Sequence, residues 1–214
     1  KGIQFHWHNK DYISFDDFLS KLKSSKRKAI RKERRTILNN NLIIQKVTGN
    51  ELNNEIWDSF YNFYLNTIDK KWGGAYLTKS FFHLINMTMK NKILLIIAKQ
   101  NDKIVAGALN FIGDNTLYGR NWGSIVDIPF LHFELCYYQA IEYAIDNKIK
   151  TVEAGAQGHH KIQRGYVAES TYSRHLIRND SFAKAVRNFV KLEAIEIDKQ
   201  IERINQLGSP YSNI

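Results

Sequence analysis

Two long apolar runs separated by three polar residues occupy the middle of the chain, and they constrain the fold more than any other feature. Lys92 to Gln100 and Ile104 to Gly113 are rich in Ile, Leu, Val and Ala, and Asn101-Asp102-Lys103 between them is a short polar turn. The pattern predicts an antiparallel hairpin. A third strand, Thr116 to Trp122, is expected after the Asp114-Asn115 turn. The period then becomes helical from about Pro129 to Asn147, with Asp127 or a neighbour as the start and Pro129 in the first turn. Phe133, Tyr137, Ala140, Ile141, Ala144 and Ile145 face inward on this helix. Another strand, Lys150 to Gln157, begins directly after it and must return beside the third. Three antiparallel strands, a helix and a returning strand give a mixed sheet.

Helices are expected on either side of this unit. Ser14 caps a helix start with Phe15, Phe18, Leu19, Leu22 and Ile30 as its apolar seam. Glu51 to Asp69 places Ile56, Trp57, Phe60, Phe63, Tyr64 and Ile68 at helical spacing, which reads as core, and Thr78 caps a further helix through about Met89. Lys70 to Leu77 is a glycine loop whose Lys71 and Trp72 either pad the surface or line a pocket. A strand over Thr171 to Arg178 precedes a long amphipathic helix over Ser181 to Gln206, which Gly208 and Pro210 stop.

A chain of 214 residues can bury a real core as one large domain, or as one domain with an arm. The single cysteine, Cys136, excludes an internal disulfide and a cysteine-built zinc site, and fits a reducing cytoplasm. The apolar runs are too short to cross a bilayer, so a cytoplasmic protein is expected. Lys1 in place of Met gives the expectation that the chain is a piece of something longer. The formal charge of +10 is partly concentrated: nine of the cations lie between Lys21 and Arg35, against the single acid Glu33. Arg27, Arg31 and Arg35 share a face by their spacing of four. Such a strip is either a solvated helix face or a contact for a phosphate-rich ligand.

Two places offer chemistry. Glu153 lies among small and apolar residues of a predicted strand; facing a cleft, it would be desolvated toward a useful base, and otherwise it pairs with a neighbouring cation. The Gly155 to Tyr166 stretch carries three glycines, Gly155, Gly158 and Gly165, that allow close backbone approach to a ligand. His160 there is a candidate base, while Lys161 and Arg164 are candidate anion contacts. The other reading is a basic surface loop. His159, His160 and His132 lack the spacing of metal ligands, and no metal is expected.

The order of these elements resembles the central unit of the GNAT acyltransferases, and the local motifs resemble the FemAB-like predicted N-acyltransferases of peptidoglycan biosynthesis. The motifs are Phe5-His6-Trp7, Ser25 to Arg34, Lys71-Trp72-Gly73, Gly119 to Gly123, His132 to Tyr138, and Glu153 to Gly158 continuing into His160-Lys161 and Arg164-Gly165-Tyr166. They run in order over almost the whole chain. His159 stands where a glutamate is expected, and Ala75 where a proline is. The resemblance implies a GNAT-like α/β fold with a mixed, mostly antiparallel sheet flanked by helices. It also implies that residues 1–45 form a basic helical arm from an absent, related N-terminal half, with residues 46–214 as the acyltransferase domain.

An amine attacks an acyl carbonyl only when neutral, so a base must take its proton and fixed donors must hold the oxyanion. In the enzyme reading Glu153 or His160 manages the proton. Lys161, Arg164 and Arg120 contact the donor or a carboxylate, Trp72, Trp122 and Tyr172 shape the pocket, and Lys71, Gln157, His132 and Glu134 complete the set. Arg120 to Ile125 matches only the beginning of the pyrophosphate motif of acyl-CoA enzymes, and Glu134 at the following helix start would repel phosphate. The donor expected is therefore acyl-CoA or aminoacyl-tRNA, the latter being used by related Fem-type enzymes. The basic strip would meet tRNA or an anionic lipid-linked precursor. The alternative is a non-catalytic module of the same fold that binds nucleic acid or cell-wall precursor.

Overall fold

A computed structural model describes residues 1–69 and 74–212 of the chain. Its strands are β1 (Gly2–His8), β2 (Ile43–Thr48), β3 (Ile93–Gln100), β4 (Lys103–Ile112), β5 (Thr116–Ser124), β6 (Thr151–Glu153) and β7 (Val167–Thr171). They form one sheet in the order β2-β3-β4-β5-β6-β1-β7. Every neighbouring pair is antiparallel except β5 and β6, which are parallel. The helices are α1 (Phe15–Ser20), α2 (Ser24–Asn39), α3 (Asn54–Asp69), α4 (Lys79–Met89), the single turn α5 (Leu131–Phe133), α6 (Gln139–Asp146) and α7 (Asp180–Gly208). The architecture is the expected GNAT-like one: a mixed, mostly antiparallel sheet flanked by helices.

The β3–β4 hairpin closes on Asn101 and Asp102, both at positive φ (49° and 61°), a conformation these two residue types tolerate. β3 is buried on both faces. Leu94, Ile96 and Ala98 enter a core shared with Phe18, Ile30, Leu135 and Ile141, while Ile93, Leu95 and Ile97 enter a second core with Trp57, Phe60, Phe63 and Phe82. The helical aromatics of α3 are therefore core, as their periodicity indicates.

Several elements differ from the sequence reading. The seam that begins at Ser14 is split into α1 and α2, because Leu22 is drawn into the core and the amide of Lys23 donates to the carbonyl of Pro210. The strand expected over 150–157 lasts only three residues, and the one expected over 171–178 lies earlier, at Val167–Thr171. β7 pairs with β1, whose register ends at Gly2 opposite Thr171, so there is no neighbour for the chain beyond. β1 and β2 had no counterpart in the sequence reading. Residues 1–45 supply β1 to the interior of the sheet, between β6 and β7, and Phe5, Trp7, Phe18 and Ile30 to the same core as Val152 and Ala168.

The sheet and α3 approach closely at Gly123 of β5. A Cβ built there would lie 2.1 Å from the carbonyl oxygen of Phe63 in α3. Gly123→Ala should force α3 away from the sheet and cost on the order of 1–3 kcal/mol or more, read as a lowered denaturation midpoint with native-like secondary structure.

Candidate functional site

β5 and β6 pair over only three residues, Thr116 to Tyr118 against Thr151 to Glu153. Beyond that point they separate. β5 carries an irregularity against β4, where Ala108 pairs with Trp122 but Asn110 pairs with Gly119, so one extra residue is inserted near Arg120 and Asn121. β6 ends, and the chain turns away through Gly155 at φ 76°. The opening holds a cavity of about 650 Å³, walled by Arg120, Asn121 and Trp122 of β5, His132 and Tyr137, Ala154, Ala156, Gln157, Gly158, His160 and Lys161, and Tyr64, Thr67 and Ile68 of α3.

The segment after β5 explains how His132 and Tyr137 meet. Residues five apart on a regular α-helix point about 140° away from each other. Here a π turn, Glu134–Tyr138, is inserted between α5 and α6. It brings the rings of His132 and Tyr137 to 5.3 Å, and His132 also lies 5.2 Å from the ring of Trp122.

His160 and Lys161 stand on a 3-10 turn, His159–Arg164, flanked by Gly158 and Gly165 at φ 97° and 91°. A side chain at Gly165 would also meet the ring of Phe18 at 2.7 Å. His160 Nε2 lies 3.0 Å from the Tyr137 hydroxyl. Burial, and then the charges of Arg164 and Lys161, push its pKa below the usual histidine value, so the neutral ring is favoured. The ammonium of Lys161 donates to the carbonyls of Ala154 and Gly155, the two that follow the last residue of β6. Burial lowers its pKa to about 8.

The other predicted residues have different surroundings. Arg164 lies behind the cavity wall, donating to the His160 carbonyl at 2.8 Å and to both oxygens of Glu33 at 2.8 and 2.9 Å, with its guanidinium 3.5 Å from the centre of the Phe133 ring. Glu134 is buried beneath α2, where it accepts from Gln139 at 2.7 Å and pairs with Arg34 at 3.1 Å. Burial raises its pKa, and Arg34 opposes that shift. Glu134 therefore anchors α2 and does not face the cavity. The carboxylate of Glu153 leaves the sheet on the face opposite buried Val152, 3.9 Å from His6, and does not line the cavity. Tyr172 is exposed, next to Lys1. Lys71 and Trp72 lie outside the described residues. Among the described residues, Arg120, Trp122, His132, Gln157, His160 and Lys161 of the predicted set share the cavity, and no carboxylate lines it.

Tyr137, Thr67, Asn121 and Glu33 are among the residues that sequence reasoning left out of the site. In the sequence Tyr137 is an inward-facing position within the His132 to Tyr138 motif, and its turn toward His160 is hidden because a π turn has no periodic signature. Glu33 did carry a signal, as one acid among nine cations.

A mixed sheet that splays between its parallel strands around a cavity is the architecture of GNAT-like proteins. Within it, the chain belongs to the FemAB-like family, described as one of peptidoglycan biosynthesis or recognition, whose pattern matches residues 1–213. Among solved structures, FemX is similar at a TM-score of 0.60 and 12% identity, over 78% of this chain and 59% of FemX. The C-terminal domain of a putative lysylphosphatidylglycerol synthetase from Agrobacterium fabrum reaches 0.53 at 10% identity, over 72% of this chain and 46% of that one. At these identities the likeness is one of fold. The chain spans less than two thirds of the length of either structure. No curated protein matches it.

The Glu33–Arg164 pair is nearly sealed from solvent, with side chains 14% and 8% exposed. Removing one partner strands a buried charge, so Glu33→Ala should cost about 3–5 kcal/mol, and Glu33→Ala with Arg164→Met should recover most of it. Urea denaturation of the two single variants and the double variant checks this.

Proposed function

We propose that this chain is the catalytic half of an N-acyltransferase that moves an aminoacyl group from an aminoacyl-tRNA ester to an amine of a peptidoglycan precursor. The observation that carries the reading is a cationic cavity that no carboxylate lines among the described residues, in which a neutral base candidate, His160, is held against Tyr137. Family membership supports the peptidoglycan acceptor, and the resemblance to Fem-type enzymes supports the donor. The outward cations of α2, among them Lys28, Lys32 and Arg35, are exposed and supply phosphate contacts for tRNA. Residues 1–45 are proposed to join a related N-terminal half that completes the acceptor side.

In this reading the acceptor amine attacks the ester carbonyl from within the opening between β5 and β6. A C–N bond forms as the carbonyl electrons move onto oxygen, where the Lys161 ammonium and the Arg120 guanidinium supply positive charge. The proton lost by the amine passes to His160, which is neutral at pH 7 because burial and two cations oppose its protonation. Collapse of the intermediate breaks the C–O bond to the ribose, and His160 returns the proton to the leaving hydroxyl. Trp122 and Tyr137 exclude water from the intermediate.

Glu153 takes no part in this sequence, because its carboxylate faces His6. Glu153→Gln should keep transfer within a few-fold, while His160→Ala should lower it roughly 10²–10⁴-fold, measured with labelled aminoacyl-tRNA and a peptidoglycan precursor. Comparable losses in both variants would overturn the assignment.

The pH profile should be bell-shaped. Activity rises as His160 loses its proton below the ordinary histidine range, and falls near pH 8 as Lys161 loses its charge. Lys161→Arg, which stays charged, should move the descending limb to higher pH. Binding of acetyl-CoA and of aminoacyl-tRNA to the purified chain, each at low and moderate salt, separates the donors. Salt-sensitive binding of tRNA alone supports the proposal, and saturable binding of acetyl-CoA alone replaces the donor.

A further inference from the structure

α7 is the longest helix described, and its two halves have different surroundings. Over its second half, Ile201 and Ile204 pack on the main core, and Asn205 exchanges hydrogen bonds with the backbone of Ala168 in the edge strand β7. Over its first half only Ala183 is buried. Phe182, Phe189 and Leu192 are 60%, 63% and 71% exposed, and Ala185 between them is exposed too. A helix face that ends in water carries polar residues, whereas this one carries two phenylalanines and a leucine.

The spacing of these residues is informative. Positions 182, 185, 189 and 192 are three, four and three residues apart, the a and d positions of two heptads, which align on one side of a helix. This spacing reads the same in both directions. A second copy of α7 laid antiparallel on the first therefore places Phe182 against Leu192 and Ala185 against Phe189, so that the small residue of each seam receives the large one of the other. In the same register the extended chain that enters the helix brings Arg178, two residues before its start, to the end of the seam where Glu196 of the second copy lies, within reach of a long side chain. Lys184, Arg187 and Lys191 lie on the far side of the helix, at about 100° per residue, so the pairing does not force like charges together. The seam is thus complementary to itself in shape and in charge.

We infer that the chain self-associates through the first half of α7, two copies pairing antiparallel along Phe182, Ala185, Phe189 and Leu192. Two heptads form a short interface, so the dimer dissociates at roughly micromolar concentration.

Sedimentation velocity over a concentration series centred on roughly 10 µM tests this. The wild-type chain should shift from one to two chain masses as concentration rises. Phe189→Glu with Leu192→Glu should remain at one chain mass throughout. Both positions are exposed, so its far-UV circular dichroism should match the wild type. Glu196→Arg should weaken the dimer about tenfold, and Arg178→Glu combined with Glu196→Arg should restore it, which reports the antiparallel register. A wild-type chain that stays monomeric at every concentration overturns the proposal, as does a dimer unaffected by the double glutamate variant. Failure of the charge exchange to restore association overturns the register.

Discussion

The three-residue parallel pairing of β5 and β6 is the constraint on which the rest of the site depends. A parallel pair that stops this early leaves backbone groups of both strands without partners, and buried backbone groups must find some. On one side β1 continues the pairing, since Ala154 donates to the Phe5 carbonyl and Phe5 to that of Gly155. On the other side, the ammonium of Lys161 bonds the carbonyl of Ala154 in place of a strand, and it adds a second donor to the Gly155 carbonyl that Phe5 already reaches. The side chain that stabilises the end of the sheet is thus also the cation that the cavity presents. Its burial there is what brings its pKa down to about 8.

A second layer of charge fixes the cavity wall from behind. α2 uses opposite signs on its inner side: Glu33 receives Arg164, and Arg34 receives Glu134 and Glu142. Arg164 in turn bonds the His160 carbonyl and lies on the Phe133 ring, so the basic helix and the turn that carries His160 are mechanically one unit. Buried pairs of this kind contribute little net stability, but they penalise any arrangement that separates the partners. Of the face that Arg27, Arg31 and Arg35 share, Arg27 bonds the carbonyl of Leu22 and Arg31 the carboxylate of Asp16, so part of it secures α1. The remaining outward cations are those open to a phosphate-rich partner.

The hairpin, the third strand, the helical aromatics of α3 and the glycine-flanked turn at His160 were legible because each rests on local chemistry. Strand alternation, helical periodicity, and the turn preferences of Asn, Asp and Gly act within a few residues. β1 was not legible. Its alternation of Phe5 and Trp7 with His6 and His8 is short, and its place between β6 and β7 depends on partners about 150 residues away. The π turn was hidden for a related reason, since Leu131 to Asp146 keeps an apolar pattern that a regular helix would satisfy equally well.

Glu153 shows where the limit falls. Strand alternation requires its side chain to oppose that of Val152, and nothing in the alternation says that the carboxylate there lies beside His6 of β1 and outside the cavity. The sequence by itself determined the class of fold, the FemAB-like pattern, the basic strip and the turn that bears His160 and Lys161. Only the tertiary structure decided that no carboxylate among the described residues lines the cavity, that Glu134 and Arg164 are buried anchors, and that Tyr137 faces His160. The physical reason is that those assignments depend on which sheet face and which helix pack together. Such contacts join residues far apart in the chain, as Glu33 and Arg164 are, and no local pattern encodes them.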